Sequence, residues 1–218
     1  MGINNQHRKY KMRRAFFLKL STAFAAVILS SCAELSTLAS NNTTQINSQA
    51  PWETLFDGTN LNSWTSIGNA NWRLTESGLA QAELGNGFLV STKSYQDFQI
   101  QSEFWVDDDA NSGIFIRVSD PTKINAVNAY EVNIFDKRPD PSYGTASIVN
   151  VAKVIPMPKA GGHWNTFDIT AKGNHFVVYF NGVKTVDVTN DNLPKGGPIA
   201  LQYAGGVVKF KKVLIRPI

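Results

Sequence analysis

The sequence has few of the residues that build disulfide frameworks, metal knuckles or nucleic-acid surfaces. Its 218 residues include a single cysteine and three histidines, so an intrachain disulfide is excluded and a cysteine-based zinc site has no basis. The formal charge of +4 is concentrated in residues 1–31, which hold six basic and no acidic residues. The rest of the chain has 15 basic against 17 acidic residues, a net charge of −2, and this balance does not favour a nucleic-acid partner.

Residues 1–31 have the organisation of an export signal. A basic segment precedes the apolar stretch 20–29, which is too short to cross a membrane as a helix because a span needs about 20 residues. Small residues then precede Cys32, and this pattern resembles the lipobox of bacterial lipoproteins, in which the cysteine is acylated. The alternatives are an ordinary secretory signal or a buried helix. Residues 13–19 are also similar to a twin-arginine signal.

Residues 32–50 are predicted to be an acylated cysteine followed by a flexible tether. The segment after Cys32 is rich in Ser, Thr, Asn and Gln and has too little apolar surface to fold. Acyl chains on Cys32 would anchor the protein, since each buried CH₂ contributes about 0.8 kcal/mol. We therefore expect a membrane-anchored protein of the bacterial cell envelope that faces the periplasm or the exterior. Ala33 and Glu34 favour the outer membrane, by resemblance to enterobacterial sorting.

Residues 51–218 are typical of one antiparallel all-β domain. Apolar residues alternate with polar ones or form short runs bounded by Gly, Asn, Asp and Pro, and no window longer than about ten residues has helical periodicity. Asn181-Gly182 separates two such runs and predicts a hairpin with a type I′ turn. Strands at roughly 8–15-residue intervals favour a β-sandwich over alternating strands and helices.

Several predicted strands combine polar and aromatic side chains on one face. Sugar recognition requires this combination, because C–H faces stack on aromatic rings while hydroxyls pair with amides and carboxylates. Period-two alternation predicts three such faces. They are Gln99, Gln101, Glu103 and Trp105; Gly113, Phe115 and Arg117; and Glu131, Asn133 and Phe135. Gln202 is a further polar residue, between the apolar Leu201 and Tyr203.

Several short motifs occur in a characteristic order along the chain. They are 52–59 followed by Leu61 and Trp64, then 111–117, 129–136, 164–166, Asn181-Gly182 and 199–203. With these residues the chain resembles the 3-keto-disaccharide hydrolase domain family over residues 52–218. The resemblance implies a concanavalin A-like jelly roll, export, and activity on glycosides oxidised to a ketone at sugar carbon three. The chain departs from the family at Ala204 and Gly205, where many relatives carry a histidine, and in 144–153, which has fewer bulky residues.

Two cleavage mechanisms are compatible with these residues. Ordinary hydrolysis uses two carboxyls about 5–5.5 Å or 6.5–9.5 Å apart, and Glu103 and Glu131 are the predicted pair. A 3-keto sugar also allows one base to remove the acidified hydrogen on carbon two, after which the aglycone leaves and water adds. Glu131 or Asp136 would be that base. Arg117 would stabilise the enolate, because its guanidinium stays charged and binds oxygens in a fork.

The remaining predicted site residues bind the sugar. They are Trp105, Asn111, Asn133, Gln202 and Tyr203. We expect the polar residues of the site to converge on one open groove with an aromatic floor, and the residues that test this are Glu103, Arg117, Glu131 and Gln202. A non-catalytic carbohydrate-binding module and a structural envelope lipoprotein remain alternatives, because one sandwich fold can host all three functions.

No metal or cofactor is predicted. The acidic run 107–109 begins a segment similar to a calcium loop, but Gly113 falls at its seventh position and Val118 at its twelfth, so it is not an EF-hand and a turn is expected. His163 and His175 are not part of a His-Glu-x-x-His motif. A divalent metal therefore has no support in the sequence. The predicted partners are a saccharide and, through Cys32, a membrane.

Overall fold

The computed structural model describes residues 50–218. The predicted signal peptide, Cys32 and the tether up to residue 49 lie outside the described residues. The strands are β1 (Glu53–Phe56), β2 (Trp64–Gly68), β3 (Arg73–Leu74), β4 (Ala80–Ala82), β5 (Gly87–Tyr95), β6 (Phe98–Val106), β7 (Asn111–Ile116), β8 (Tyr130–Ile134), β9 (Trp164–Lys172), β10 (His175–Phe180), β11 (Val183–Thr189), β12 (Gly197–Gly205) and β13 (Val208–Pro217). The one helical element in this part of the chain is a 3₁₀ turn, Pro141–Tyr143.

The strands form two antiparallel sheets, which confirms the predicted all-β sandwich. Sheet A has the order β11-β10-β9-β6-β13-β4-β3, with β1 also paired to β13. Sheet B has the order β2-β5-β12-β7-β8. The predicted hairpin joins β10 and β11, and its turn residues Asn181 and Gly182 have φ angles of 49° and 79°. Both angles are positive, as a type I′ turn requires.

The core lies between the two sheets and follows the alternation of their strands. Phe98, Ile100 and Phe104 of β6 are fully buried, while Gln99, Gln101 and the other residues of the opposite face are at least partly exposed. Phe104 stacks on Phe167 of β9 with ring centroids 5.2 Å apart. The predicted period-two pattern of residues 98–106 therefore places one face of sheet A in the core and leaves the other face open.

Sheet B is different because part of its outer face is also covered. All five residues of β8 are buried, since the segment 146–149 runs along the edge of this strand with backbone hydrogen bonds to Glu131 and Asn133. A second, small apolar cluster lies on the outer face and includes Val90, Phe115 and Ala200. Among residues 50–218, no helix has the length and apolar character that crossing a membrane would require.

Candidate functional site

The outer face of sheet B brings three of the predicted site residues together. In the register of β12, β7 and β8, Gln202 lies opposite Gly113, and Gly113 lies opposite Asn133. The next row on the same face contains Phe115 and Glu131, because residues two apart in a strand share a face. Gln202, Asn133 and Glu131 therefore surround the glycine. We call this arrangement the Glu131 site.

Gly113 is buried and lies between two polar side chains. A Cβ atom at this position would lie 3.5 Å from Glu131 Cγ and 3.5 Å from Gln202 Oε1. The side chains of Glu131 and Gln202 thus approach the same point above the sheet from two neighbouring strands. A side chain at position 113 would contact both groups.

The part of the sheet beside Gly113 is aromatic and apolar. Phe88 of β5 lies opposite Gln202 in the register, and its ring meets the ring of Phe115 edge to face with centroids 5.4 Å apart. Val90 and Ala200 extend the apolar surface along the next row. Phe115, Val90 and Ala200 are buried, so the partly exposed ring of Phe88 is the part of this surface that can pack against the C–H face of a sugar ring.

Glu131 has an unusual environment for a carboxyl group. The residue is only 8% exposed, and burial raises the pKa of Glu131 to about 7, while the positive charge of Arg138 acts in the opposite direction. Burial disfavours the charged carboxylate because the protein solvates it less well than water does. Near neutral pH, protonated and ionised forms of Glu131 coexist, and this balance suits a group that must accept and return a proton.

Glu131 is also the sole carboxylate on the strands of sheet B. The other four strands of this sheet, β2, β5, β7 and β12, contain neither Asp nor Glu. A second carboxyl from a neighbouring strand of the same sheet is therefore absent from this part of the structure. The site offers a single strand-borne acid–base group rather than a pair.

Two buried oxygens next to Glu131 lack a protein partner. Asn133 is fully buried, and its Nδ2 donates to the Tyr143 carbonyl at 2.7 Å, which fixes the orientation of the amide. Asn133 Oδ1 and Gln202 Oε1 are buried and accept no hydrogen bond from the described residues. Buried acceptors without donors are unfavourable.

Arg138 is a functional candidate that the sequence reasoning missed. It lies in the turn after β8, is partly exposed, and forms no salt bridge with any described residue. It is nevertheless the charged group that acts on Glu131. The sequence signal was the pair Lys137-Arg138 directly after a strand that contains a glutamate.

Asp136 has a structural task instead of the predicted role as base. Its Oδ1 accepts from the Thr145 hydroxyl at 2.6 Å. Its Oδ2 accepts from the backbone N–H groups of Ala160 and Gly161 at 2.9 and 3.0 Å. Both carboxylate oxygens are therefore engaged in holding two loop segments together, which leaves Glu131 as the candidate for a base.

Arg117 does not share a face with Phe115, and this prediction is wrong. The φ angle of Arg117 is 56°, which breaks the alternation of the strand and turns the side chain inward, where it is 1% exposed. Its guanidinium donates to the backbone carbonyls of Gln96 and Gly173 at 2.8 and 2.6 Å and pairs with Asp97 at 3.1 Å. Arg117 thus closes one end of the sandwich, and its guanidinium is committed to these partners instead of an enolate.

Glu103 and Trp105 lie on the outer face of sheet A, on the other side of the sandwich from Glu131. Glu103 pairs with Lys211 at 2.7 Å, and Lys209 Nζ lies over the Trp105 ring, 4.3 Å from its centroid. The predicted pair of Glu103 and Glu131 is wrong because both sheets separate the two residues. Four residues were expected to converge: Glu103, Arg117, Glu131 and Gln202. Of these, Glu131 and Gln202 lie on the same face.

The last two predicted binding residues have different environments. Tyr203 points into the core, where it is 3% exposed and donates to the Gly206 carbonyl at 3.0 Å, so it is not available to a substrate at the Glu131 site. Asn111 begins β7, lies opposite Gly205 and is partly exposed. It shares the outer face with Gly113 and extends the polar side of the Glu131 site.

A metal-binding cluster is not found in the described part of the chain. Within residues 50–218, no group of three or more His, Cys, Asp or Glu side chains is arranged to hold a metal ion. The acidic run 107–109 forms a turn between β6 and β7, and Asp109 is paired with Lys137. The polar groups around Glu131 are amides and one carboxyl, which suit hydroxyl groups.

The fold is similar to those of several solved structures. A protein from Parabacteroides distasonis ATCC 8503, provisionally assigned as a glycosyl hydrolase, is 17% identical with a TM-score of 0.69, and the match covers 77% of this chain and 94% of that one. A second such protein from the same organism is 22% identical with a TM-score of 0.66, over 77% and 100%. The carbohydrate binding module CBM66 from Bacillus subtilis is 20% identical with a TM-score of 0.54, over 71% and 95%.

The sequence itself identifies the family. No curated protein matches this chain at a significant level of similarity. Residues 51–216, nearly the whole of the part that folds into the sandwich, match a family model. These residues include the complete Glu131 site. The chain belongs to the carbohydrate-related family described as the 3-keto-alpha-glucoside-1,2-lyase-like domain.

Proposed function

We propose that this protein cleaves 3-keto-glycosides by elimination followed by addition of water, with Glu131 as the base. One observation carries the proposal: Glu131 is a buried carboxyl with a pKa raised to about 7, and it is the sole acid on the strands of its sheet. A double displacement or an inverting attack requires two carboxyls. Elimination next to a ketone requires one base.

The chemistry follows from the acidity that the ketone gives to its neighbouring carbon. The Glu131 carboxylate accepts the hydrogen on sugar carbon two, and the electron pair of that C–H bond forms an enolate with the ketone at carbon three. The enolate then forms a double bond between carbons one and two, and the bond from carbon one to the aglycone oxygen breaks. The departing oxygen takes up a proton, and water subsequently adds to the double bond.

The other residues of the Glu131 site have supporting roles in this proposal. The positive charge of Arg138, next to Glu131, would stabilise the negative charge that develops on the ketone oxygen. Asn111 and Gln202, which are partly exposed, would form hydrogen bonds with sugar hydroxyls. The partly exposed ring of Phe88 would pack against the C–H face of the sugar.

Carbohydrate binding without cleavage is the second candidate. The similarity of the fold to a carbohydrate binding module from Bacillus subtilis favours it, since the two functions require similar surfaces. The two candidates differ in what happens at sugar carbon two. A binding module leaves this hydrogen in place, whereas a base at Glu131 removes it.

The decisive experiment is incubation of the full chain with a 3-keto-disaccharide in D₂O. We expect release of the aglycone and deuterium at carbon two of the product, and Glu131→Gln should lower the rate by about 10²–10⁴-fold, the usual contribution of a general base. Glu76→Gln is the matched control, because Glu76 is an exposed glutamate in a turn. Equal rates for the wild type and Glu131→Gln would refute the proposal, and sugar binding without product would support the second candidate.

A further inference from the structure

The outer face of sheet A is an open groove on the opposite side of the sandwich from Glu131. Strands β9, β6 and β13 form its floor, and Tyr179 of β10 stands at one side. Its volume is about 600 Å³, which is in the usual range for small-ligand sites. The groove contains no residue of the Glu131 site.

The polar groups of this groove suit a polyol. Gln101 Nε2 donates to Asp168 Oδ2 at 2.7 Å across β6 and β9, so the pair is held in place. The amide oxygen of Gln101, the second carboxylate oxygen of Asp168 (Oδ1) and the Thr166 hydroxyl have no hydrogen-bond partner among the described side chains. Planar acceptors and a hydroxyl at fixed spacing are what sugar hydroxyls need for oriented hydrogen bonds.

Two exposed aromatic rings lie along the same face. Tyr179 is opposite Asp168 in the register and 39% exposed. Trp164 is two rows further along β9, opposite Trp105, and 43% exposed. Residues two apart on one face of a strand are about 7 Å apart. The two rings are four residues apart in register and are therefore separated along the strands by about 14 Å. This spacing suits an oligosaccharide chain better than a single sugar ring.

The charges in the groove favour a neutral ligand. Glu103 is paired with Lys211 at 2.7 Å, and the remaining charged residues of the lining are one acid, Asp168, and one base, Lys212. An anionic polymer would be repelled by Glu103 and Asp168, and a cationic polymer would be repelled by Lys211 and Lys212. We propose that this groove is a second, non-catalytic site that binds a neutral oligosaccharide through Tyr179, Gln101 and Asp168.

The second site is independent of the proposed chemistry at Glu131. Packed sheets are about 10 Å apart, so one molecule of the protein can hold a saccharide chain on sheet A while a glycoside occupies the face of sheet B. The arrangement would keep the domain on a polymeric carbohydrate. It does not require that the protein cleaves anything, so the two proposals can fail separately.

The test is titration of the ¹⁵N-labelled protein with four neutral hexasaccharides: maltohexaose, cellohexaose, laminarihexaose and xylohexaose. We expect at least one to bind, with shifts concentrated in the amides of β6, β9 and β10. Tyr179→Ala and Asp168→Ala should each weaken that binding at least tenfold. Absence of binding by all four, or shifts confined to sheet B, would overturn the proposal.

Three further measurements distinguish a saccharide site on sheet A from binding at Glu131 and from self-association. Leu84→Ala is the matched control, because Leu84 is 67% exposed in a loop outside the groove, and it should bind like the wild type. Glu131→Gln should also retain the oligosaccharide, whatever its effect on cleavage. Sedimentation velocity tests for a second copy as occupant, and self-association that Tyr179→Ala abolishes would contradict a saccharide site.

Discussion

At the scale of single residues, the surroundings of Glu131 determine what its carboxyl group can do. The residue is 8% exposed, and its Cγ lies close to the buried Gly113. Burial raises the pKa to about 7, so part of the group is protonated and part is ionised near neutral pH. A solvated glutamate would be fully ionised at neutral pH and a poorer base for a carbon acid.

The raised pKa of Glu131 has a measurable effect on stability. A carboxyl with a pKa near 4.5 in the unfolded chain and about 7 in the folded protein binds more protons in the folded state between these two values. Stability is therefore lost as the pH rises from about 4.5 to 7, with a total loss of about 3 kcal/mol from this group. Below pH 4.5 both states are protonated, and above pH 7 both are ionised.

Glu131→Gln should remove this loss because glutamine does not ionise. We expect the free energy of unfolding of the variant, relative to the wild type, to increase by about 3 kcal/mol between pH 4 and pH 8. Urea unfolding at intervals across this range measures the difference. A difference that stays constant, or that grows toward acid pH, would contradict the raised pKa.

Single-residue patterns in the sequence were informative where the backbone stays regular. Alternation in 130–134 correctly predicted that Glu131 and Asn133 share a face, because β8 is a regular strand. The same rule failed at Arg117, where φ is 56° and the strand has ended at Ile116. No composition signal marks this change, since arginine seldom adopts positive φ.

At the scale of elements, the loops beside β8 complete the Glu131 site. Asp136 joins the turn that contains Arg138 to the backbone of Ala160 and Gly161, and its backbone carbonyl accepts from Lys159 at 2.7 Å. These hydrogen bonds fix the start of the turn near Glu131. The position of Arg138 thus depends on a carboxylate that is not itself a base.

Asp136→Ala should therefore act on stability. Removal of the carboxylate leaves the Ala160 and Gly161 N–H groups without their acceptor, and we expect a loss of about 1–3 kcal/mol in the free energy of unfolding. Asp140→Ala is the control, because Asp140 is exposed and its carboxylate accepts only from Ser142, and the variant should lose about 1 kcal/mol. Denaturant unfolding tests both. A wild-type stability for Asp136→Ala would show that the loops are held by other contacts.

The alternation within the strands predicted which residues share a face, but it did not predict which strands belong to the same sheet. The alternation of Gln99, Gln101, Glu103 and Trp105 is present in β6, but the neighbours of β6 are β9 and β13, which are distant in sequence. Local periodicity does not reveal such pairing, because it depends on the path of the whole chain. Glu103 and Glu131 were therefore predicted to share a groove although they belong to different sheets.

At the scale of the whole molecule, the net charge bears on how the protein could be held at a membrane. Without residues 1–31 the chain has 15 basic and 17 acidic residues. A net charge of −2 gives this part of the chain no general attraction to anionic lipids. We therefore propose that acyl chains on Cys32 hold the protein at the membrane, since each buried CH₂ group contributes about 0.8 kcal/mol.

Cys32→Ser should release the protein from the membrane. Serine cannot form the thioether of a lipoprotein anchor, and the slightly acidic domain has no electrostatic substitute for it. In cells that express the full chain, we expect the wild type in the detergent-extractable membrane fraction and labelled by palmitate, and the variant unlabelled in a soluble fraction. Ser36→Ala, in the predicted tether, should behave like the wild type. A wild type that takes up no palmitate would exclude the acyl anchor, because the single cysteine leaves no other thiol to carry it.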